Sequence, residues 1–258
     1  MVNMKLTIIG TGNMAEAILH GVSKYYQVEV VGRNQKRLDE LDQKFKKNVT
    51  FSLLKENFDI SHKNLILCVK PYALASVSEL FTGQANSHLS VLAGVRLEDL
   101  KRYIPALHTV RTMPNLAAKY AKSMTTLCGD RTFKGEAIAI CSCFGEALWL
   151  DSEKEIDIAT AVAGSGPAFL ALVAESLADG CVKEGLKRTD AQVLVQGLFK
   201  GFAPLIEENH PALLKDAVMS PGGTTAAGYG ALEEANVRNA MINAIEKAYK
   251  RAKDLGEK

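Results

Sequence analysis

The chain has 258 residues, of which 47% are hydrophobic and 23% charged, and its formal net charge at pH 7 is +2. That length is sufficient for two domains, and the composition is typical of a soluble globular protein. The small net charge gives no reason to expect nucleic acid as a partner, and no stretch of sequence approaches the roughly 20 apolar residues of a membrane span, so we expect neither partner.

The N-terminus and the cysteines indicate the cellular compartment. A strand-like segment, residues 5–9, begins so early that it leaves no room for the charged and apolar regions of a secretory signal. The five cysteines are odd in number and their spacing fits no disulfide framework, so we expect buried free thiols. Free thiols are typical of a reducing compartment, and we therefore expect a cytoplasmic protein.

The first half of the chain alternates between strand-like and helical patterns. The segments predicted as strands are residues 4–9, 28–31, 65–69, 90–93 and 109–111. Apolar spacing predicts helices over residues 14–23 and 36–45, and Asn34 is placed to cap the second of these. Strands that alternate with helices indicate βαβ units and a mostly parallel sheet, so the predicted fold class is α/β.

From Glu153 onward the pattern becomes helical throughout. The predicted helices cover residues 157–163, 167–183, 190–207 and 232–253, with Pro167 and Pro211 in first-turn positions and Gly185 as a helix stop. The segment 161–178 is apolar nearly all round, so we expect it to be buried, with a partner subunit supplying that burial. The pattern predicts two domains, residues 1–152 and residues 153–258.

A glycine-rich turn follows the first predicted strand. Gly10, Gly12 and Ala15 form a G-x-G-x-x-A pattern, in which the glycines allow a tight turn and close approach of a pyrophosphate and the alanine allows close packing of a helix on the sheet. The whole segment (Gly10, Thr11, Gly12, Asn13, Met14 and Ala15) therefore predicts a dinucleotide site, with the phosphates at the start of a helix. The alternative is a tight turn without a ligand.

The end of the second predicted strand indicates which dinucleotide binds. An NAD enzyme usually has Asp or Glu at this place to bind the ribose 2′-hydroxyl, whereas this chain has Gly32-Arg33-Asn34. Arg33 is suited to pair with a 2′-phosphate and to stack on adenine, so we expect NADP(H) to be preferred, with NAD(H) as a second cofactor. Lys36 and Arg37 either add to this cationic site or form a solvated helix face.

Two further segments are candidate binding loops. Val69-Lys70-Pro71 follows a central strand, where ligands of parallel sheets bind, and Lys70 either hydrogen-bonds the cofactor or merely ends the strand. Ser220-Pro221-Gly222-Gly223-Thr224-Thr225 precedes a predicted helix and offers backbone N–H groups and hydroxyls to a carboxylate. Its alternative is an ordinary helix-entry loop. The five histidines stand in no triad or metal-ligand spacing, and His210 is placed to cap the helix at Pro211.

Five segments taken together resemble one enzyme family, the pyrroline-5-carboxylate reductases. They are Gly10 to Ala15, Val69-Lys70-Pro71, Arg111-Thr112-Met113-Pro114-Asn115, Gly164-Ser165-Gly166-Pro167-Ala168, and a block from His210-Pro211 through Lys215-Asp216 to Thr225. The resemblance covers nearly the whole chain and implies a Rossmann-like N-terminal domain and an all-α C-terminal dimerisation domain. It implies homodimers, often assembled into decamers, whose active site joins the cofactor domain of one subunit to the helical domain of its partner.

The resemblance also implies roles for particular residues. Gly10 to Ala15 would hold the pyrophosphate, and Arg33 and Asn34 the adenosine phosphate. The nicotinamide side would be lined by Val69, Lys70, Pro71, Ala93, Gly94 and Asn115, with Met113 and Pro114 as its wall. The substrate would be bound by Ser220, Gly223, Thr224 and Thr225, with the Thr225 hydroxyl at the ring nitrogen, and Glu153 would lie near it. Some family members carry Asn where this chain has Ala217, so any cofactor contact of that Asn is missing.

The reaction implied by the family is hydride transfer from NAD(P)H to the C=N carbon of 1-pyrroline-5-carboxylate, which gives L-proline in the last step of its biosynthesis. One alternative is a dehydrogenase of similar architecture that acts on β-hydroxyacids or other imines through a catalytic lysine. Lys183, Lys187, Lys200 and Lys215 are available for that role, although none stands in a recognisable pattern. The other alternative is a non-catalytic sensor of NADP(H).

Overall fold

The computed structural model describes residues 4–256, which divide into two compact units. The first unit comprises the described residues up to Ser165 together with those from Lys247 onward, and the second comprises Gly166–Glu246. The predicted domain boundary between residues 152 and 153 falls at the start of a helix that remains with the first unit.

The first unit is built on strands, and the helices of the second half follow them. The strands of the described chain are β1 (Lys5–Ile9), β2 (Gln27–Gly32), β3 (Val49–Leu53), β4 (Phe58–Asp59), β5 (Asn64–Leu67), β6 (Phe81–Thr82), β7 (Ala85–Ser90), β8 (Ala106–Met113), β9 (Ser123–Gly129) and β10 (Gly145–Trp149). The α-helices are α1 (Asn13–Val22), α2 (Gln35–Lys44), α3 (Leu74–Ser78), α4 (Leu97–Tyr103), α5 (Lys134–Ser142), α6 (Glu153–Ala163), α7 (Gly166–Lys183), α8 (Arg188–Glu208), α9 (Pro211–Val218), α10 (Thr224–Glu234) and α11 (Val237–Gly256). Short 3₁₀ helices cover Pro71–Ala73, Leu116–Tyr120 and Arg131–Phe133.

The main sheet has the order β10-β9-β8-β7-β5-β1-β2-β3 among the described residues. Its neighbouring strands are parallel except for the antiparallel pair β8 and β9. After β1 the chain builds β2 and β3 on one side and then returns to place β5 on the other. Ligands of open parallel sheets bind at such a reversal, outside the carboxyl ends of the strands. The predicted α/β class with a mostly parallel sheet is confirmed.

Apolar residues cover both faces of this sheet. Ile8 belongs to a core cluster on the side of α1, whereas its neighbour Ile9 belongs to a second cluster with Leu65 and Leu67. All four side chains are 0% exposed. Successive residues of a strand point to opposite faces, so a sheet covered on both sides needs near-continuous apolar runs. The runs at residues 5–9 and 64–67 meet that need.

The prediction for the strand after residue 85 was wrong in its position. The structure places β7 at Ala85–Ser90, and residues 91–93, predicted as strand, follow it as a loop. The strand carries Ser87 and His88, which are polar and yet 0% exposed, so its pattern does not stand out from the sequence. The predictions also missed β3, β9 and β10. None of the residues of β3 and β10 is fully buried, and the buried residues of β9 include the polar Ser123, Thr125 and Thr126.

The described chain from Glu153 onward is helical, as predicted, with one difference. The predicted helix over residues 232–253 is two helices, because the chain turns between α10 and α11. Asn236 has φ 58° at this turn, a left-handed conformation that asparagine tolerates better than most residues. The stop at Gly185, with φ 105°, is confirmed, and so is the cap in which His210 Nδ1 accepts from the N–H of Ala212.

Apolar side chains on α6, α7 and α8 are exposed in the single chain. Val162 is 60% exposed, Leu172 62% and Leu194 58%, so the burial expected for residues 161–178 is not provided within the chain. The stretch Glu153–Lys183 contains an 18-residue window of mean hydropathy 1.6, long and apolar enough to span a membrane by length and composition, which corrects the expectation that no stretch approaches a span. A turn at Gly164 and Ser165 divides it into α6 and α7. The five cysteines are free, and two of them, Cys128 and Cys141, are fully buried.

Candidate functional site

The glycine turn connects β1 to α1. Gly10 has φ 121°, and a Cβ placed on it would lie 2.6 Å from the carbonyl oxygen of Cys68 at the end of β5. A side chain at this position is therefore excluded by both conformation and space. Gly12 is the N-cap of α1 and supplies no side chain to cap it, so the N–H groups of the first helical turn are available to an anion. Ala15 is 1% exposed in the core cluster and permits α1 to lie close to the sheet.

Two cavities adjoin this turn at the carboxyl ends of the strands. The first has a volume of about 300 Å³, and its lining includes Gly10, Thr11, Gly12, Arg33, Asn34 and Tyr72. The second has a volume of about 580 Å³, and its lining includes Gly12, Asn13, Met14, Pro71, Ala93, Met113 and Pro114. Both include Gly12, Cys68, Val69 and Lys70, so the two form one groove across the sheet. An elongated groove with a phosphate-binding turn at its middle fits a dinucleotide.

The two arginines after β2 have different surroundings. Arg33 is exposed at the edge of the first cavity, where its guanidinium is available to a ligand. Arg37 instead donates from Nε to the carbonyl oxygen of Thr11 at 3.0 Å and forms ion pairs with Glu16 and Glu40. Arg37 thus braces the glycine turn, which is neither of the two roles considered for it from the sequence. Asn34 caps α2 as predicted, since its side chain accepts from the N–H of Arg37.

Glu16 completes this brace from α1. It binds Lys44 at 2.8 Å as well as Arg37, and it is partly buried. The hydrogen bond from Lys44 has the largest influence on the pKa of Glu16 and lowers it. Burial raises this pKa and the hydrogen bond from Arg37 lowers it, and the net result is a pKa below the ordinary value. Glu16 therefore remains a carboxylate at neutral pH and fixes both cations behind the turn.

Val69, Lys70 and Pro71 line the groove between its two halves, as predicted. Lys70 is exposed, and Pro71 begins a 3₁₀ helix directly after it. Sequence reasoning missed Tyr72, which is 88% exposed and lines the first cavity. An aromatic ring directly after a predicted binding loop is the signal that could have indicated it. Burial raises the pKa of the Cys68 thiol, at the floor of the groove, to about 12, so it adds no charge there.

The remaining residues predicted on the nicotinamide side divide into two groups. Ala93 lines the second cavity, and so do Met113 and Pro114. Gly94 instead lines a neighbouring pocket of about 570 Å³. Asn115 is absent from the described lining of the second cavity, because its amide is used elsewhere. Its Nδ2 donates to the carbonyl oxygen of Ala163 at 2.8 Å, and its Oδ1 accepts from the N–H of Ala117 at 2.9 Å.

Glu153, predicted near the substrate, forms hydrogen bonds with two other elements of the first unit, α4 and β8. Its Oε1 accepts from the backbone N–H of Leu97 at 2.8 Å and from Arg111 at 2.7 Å. Arg111 also binds Asp157, one turn further along α6, at 2.8 Å. The Arg111 side chain is 4% exposed, whereas its partners Glu153 and Asp157 are 33% and 20% exposed, so a buried guanidinium is bound by two partly buried carboxylates. The sequence showed no sign of it, because Arg111 lies 42 residues from Glu153.

The loop Ser220–Thr225, predicted to bind a carboxylate, forms a tight turn before a helix in the second unit. The N–H of Gly223 donates to the carbonyl oxygen of Ser220 at 3.0 Å, and Gly222 has φ 71°, which together form a tight turn. Thr224 begins α10 directly afterwards, and its N-cap Gly223 supplies no side chain. Ser220, Thr224 and Thr225 are exposed, so hydroxyls and open N–H groups face solvent at one helix start.

Side chains from α9, α10 and α11 meet at Tyr229, one turn into α10 from this loop. Lys215 Nζ of α9 lies 5.5 Å from the ring centroid of Tyr229 on α10. Arg238 of α11 donates to the Tyr229 hydroxyl at 2.5 Å and forms an ion pair with Glu233. Tyr229 was not among the predicted site residues. It lies one turn after Thr225, on the same side of α10.

A doubly wound sheet with a glycine turn, a groove for a dinucleotide and a separate anion-binding loop defines a nicotinamide-dependent oxidoreductase. Residues 5–94 match the family model described as NADP oxidoreductase, coenzyme F420-dependent, and residues 153–255 match the model described as pyrroline-5-carboxylate reductase dimerisation. The chain is 38% identical to the pyrroline-5-carboxylate reductase of Helicobacter pylori over 95% of its length and 98% of that protein's. It is 39% identical to the Synechocystis enzyme over 99% of its length and the whole of that protein.

Solved structures agree with these relatives. The pyrroline-5-carboxylate reductase of Streptococcus pyogenes superposes with a TM-score of 0.83 at 28% identity and covers 97% of this chain and 98% of its own. The Plasmodium falciparum pyrroline carboxylate reductase, solved with NADP bound, superposes with a TM-score of 0.81 at 26% identity and 99% coverage of both chains. The chain belongs to the pyrroline-5-carboxylate reductase family.

Proposed function

We propose that the chain reduces 1-pyrroline-5-carboxylate to L-proline with NAD(P)H, as an oxidoreductase acting on a cyclic C=N bond. The observation that carries the proposal is that one chain holds two anion-binding helix starts, the glycine turn before α1 and the turn before α10. A reductase of an imino acid needs one such place for a dinucleotide and one for a carboxylate. The relatives from Helicobacter pylori and Synechocystis, both pyrroline-5-carboxylate reductases, support the same substrate.

The cofactor half of the proposal rests on the groove. The first cavity would take the adenosine end, with Arg33 and Asn34 near the 2′-phosphate, and the second would take the nicotinamide. NADP(H) is the proposed preference, because the described residues at the end of β2 are Gly32, Arg33 and Asn34 and include no carboxylate. NAD(H) would be accepted less well, because it lacks the phosphate that pairs with Arg33.

The substrate half rests on the turn before α10. Open N–H groups at the helix start and the hydroxyls of Ser220 and Thr224 would bind the carboxylate, with Gly223 allowing its close approach. The Thr225 hydroxyl would meet the ring nitrogen and orient the imine. A bound nicotinamide would supply the hydride for the imine carbon, C2 of the pyrroline ring, whose C=N π electrons would pass to the protonated nitrogen. Orientation of an already electrophilic carbon accounts for much of the acceleration.

The proposal includes a homodimer, in which the Ser220–Thr225 loop of one subunit completes the cofactor groove of the other, and further assembly into a decamer. Exposed apolar side chains on α7 and α8, such as Leu172 and Leu194, support an interface there. The dimerisation model matched by residues 153–255 supports it as well. A cytoplasmic location is proposed with it, since the five free cysteines are typical of a reducing compartment.

The assay is oxidation of NADPH, and separately of NADH, by the purified protein with pyrroline-5-carboxylate, followed by the absorbance of the reduced nicotinamide and by detection of proline. We expect faster turnover with NADPH at equal concentrations. Turnover of a β-hydroxyacid without turnover of pyrroline-5-carboxylate would favour the dehydrogenase alternative. NADPH binding without turnover of any imine or hydroxyacid would favour the sensor.

A further inference from the structure

The partly buried ionic cluster around Glu153 connects the two walls of the second cavity. Leu97, whose N–H is held by Glu153, begins α4 at the end of the loop that contains Ala93. Arg111, held by the same Oε1 atom, lies in β8 two residues before Met113. Ala93 and Met113 both line the second cavity. A single carboxylate oxygen therefore ties the loop after β7 to the strand β8.

Asp157 also forms an ion pair with Arg111, but among the described residues it takes no part in the connection between the loop after β7 and β8. It binds the other terminal nitrogen of Arg111 at 2.8 Å, and its described hydrogen bonds include none to the loop after β7. Burial alone would lower the pKa of Arg111, but the hydrogen bonds and charges of Glu153 and Asp157 outweigh it, and the pKa is raised. Loss of either carboxylate leaves a buried guanidinium with half of its partners, so both losses should destabilise the fold to a similar extent.

We infer that Glu153 is a positioning residue that holds the walls of the second cavity at the spacing the nicotinamide needs, rather than a group that meets the substrate. The inference rests on the proposed function, because it assigns the nicotinamide to that cavity. Three observations carry it. Glu153 already receives two hydrogen bonds within the first unit, both through Oε1. Its partner Arg111 is buried. The two bonded elements each contribute a lining residue.

The test compares Glu153→Ala, Glu153→Gln and Asp157→Ala by their affinities for two ligands. NADPH occupies both cavities, whereas adenosine 2′,5′-bisphosphate reaches only the first. For Glu153→Ala we expect the Kd of NADPH to rise about fivefold to tenfold relative to the Kd of the bisphosphate. This is the size of change expected for the loss of one charge-assisted hydrogen bond. For Asp157→Ala we expect the ratio of the two Kd values to stay at the wild-type value, although its thermal stability falls by a similar amount.

Glu153→Gln retains an acceptor oxygen for Leu97 and should recover most of the wild-type ratio. Two outcomes would overturn the inference: a ratio of the two Kd values that is unchanged in Glu153→Ala, or one that rises equally in Asp157→Ala. The cluster would then act only through the general stability of the fold. Failure of the proposed function gives a different result: wild-type protein that binds NADPH but does not reduce pyrroline-5-carboxylate still shows the expected ratios. Wild-type protein that binds no NADPH would overturn both.

Discussion

Arg37 donates from Nε to the carbonyl oxygen of Thr11 at 3.0 Å, so the helix after β2 supports the glycine turn after β1. Arg33, four residues earlier, is exposed at the edge of the first cavity. The sequence assigns Arg33 to the 2′-phosphate but leaves open whether Arg37 belongs to the same cationic site. In the structure, Arg37 supports the glycine turn and Arg33 is available to a ligand.

The first prediction follows from this difference between the two arginines. Arg33→Ala should raise the KM for NADPH about tenfold and leave the KM for NADH nearly unchanged, because the lost charge-assisted hydrogen bond is made to the 2′-phosphate. Arg37→Met should weaken both cofactors and lower the free energy of unfolding, since the turn loses its brace. Steady-state kinetics with both cofactors measure the difference. Equal effects of Arg33→Ala on NADPH and NADH would contradict the assignment.

The glycines of the turn provide a matched pair of variants. A Cβ at Gly10 would lie 2.6 Å from the Cys68 carbonyl oxygen at φ 121°, whereas a Cβ at Gly12 would meet nothing within 4 Å. Gly10→Ala should therefore lower the free energy of unfolding by about 2 kcal/mol or more. Gly12→Ala should change the free energy of unfolding by less than about 0.5 kcal/mol.

The same pair should differ in cofactor binding. The methyl group of Gly12→Ala would stand where a pyrophosphate approaches the start of α1, so we expect the Kd of NADPH to rise about tenfold in a folded protein. Chemical denaturation and a fluorescence titration with NADPH measure the two effects. Tight NADPH binding by Gly12→Ala would mean that the phosphates lie elsewhere.

Local features of the site were predictable from sequence, and distant pairings were not. The Asn34 cap depends on residues three apart, and the glycine turn depends on a strand directly before it, so both could be predicted. The contact between Arg37 and Thr11 spans 26 residues and arises only when α2 returns beside β1. Glu153 shows the same limit, because its partner Leu97 lies 56 residues earlier.

Buried polar residues explain the misplaced strand. β7 has Ser87 and His88 in its buried centre, and the apolar run 91–93 that follows it lies in a cavity-lining loop. Apolar patterning identifies what is covered by the core, but a loop that lines a ligand groove can be just as apolar. The predicted helix over 232–253 failed for a different reason: a left-handed Asn236 ends one helix and starts another without glycine or proline.

The third prediction concerns Thr225 at the start of α10. Thr225→Ala should lower kcat/KM for pyrroline-5-carboxylate by about tenfold to a hundredfold, because a hydrogen bond to the ring nitrogen is lost. The Kd of NADPH should stay at the wild-type value, since the residue belongs to the substrate loop. Thr225→Ser keeps the hydroxyl and should recover most of the activity. An unchanged kcat/KM in Thr225→Ala would remove the proposed role.

The fourth prediction concerns His88 in β7. The side chain is 0% exposed, and neither ring nitrogen has a hydrogen-bond partner. Burial lowers its pKa from 6.5 to about 4, with Asp130 opposing and Lys101 adding to that change. Between these two pH values the unfolded chain binds a proton that the folded chain does not, so stability falls as the pH is lowered from 6.5 to 4.

The size of this effect follows from the two pKa values. We expect His88 to account for a loss of about 3 kcal/mol in the free energy of unfolding across that range. His88→Leu should remove this part of the pH dependence, measured by urea unfolding at several pH values. His62 is exposed and has φ 59°, a conformation that asparagine tolerates. His62→Asn is therefore the control variant, and its free energy of unfolding should keep the wild-type dependence on pH. A wild-type slope in folded His88→Leu would contradict the assignment.

The fifth prediction tests the subunit interface. Leu172 on α7 and Leu194 on α8 are 62% and 58% exposed, and in a two-fold dimer each substitution occurs twice. Changing either to Glu removes about 3 to 6 kcal/mol of apolar burial from the dimer and adds a charge. We expect each variant to sediment as a smaller species and to lose imine reduction, because the partner's loop is then absent. Leu107 of β8 is 60% exposed in the first unit, and Leu107→Glu should sediment as wild type. Wild-type sedimentation and activity in both helical variants would place the interface on another surface.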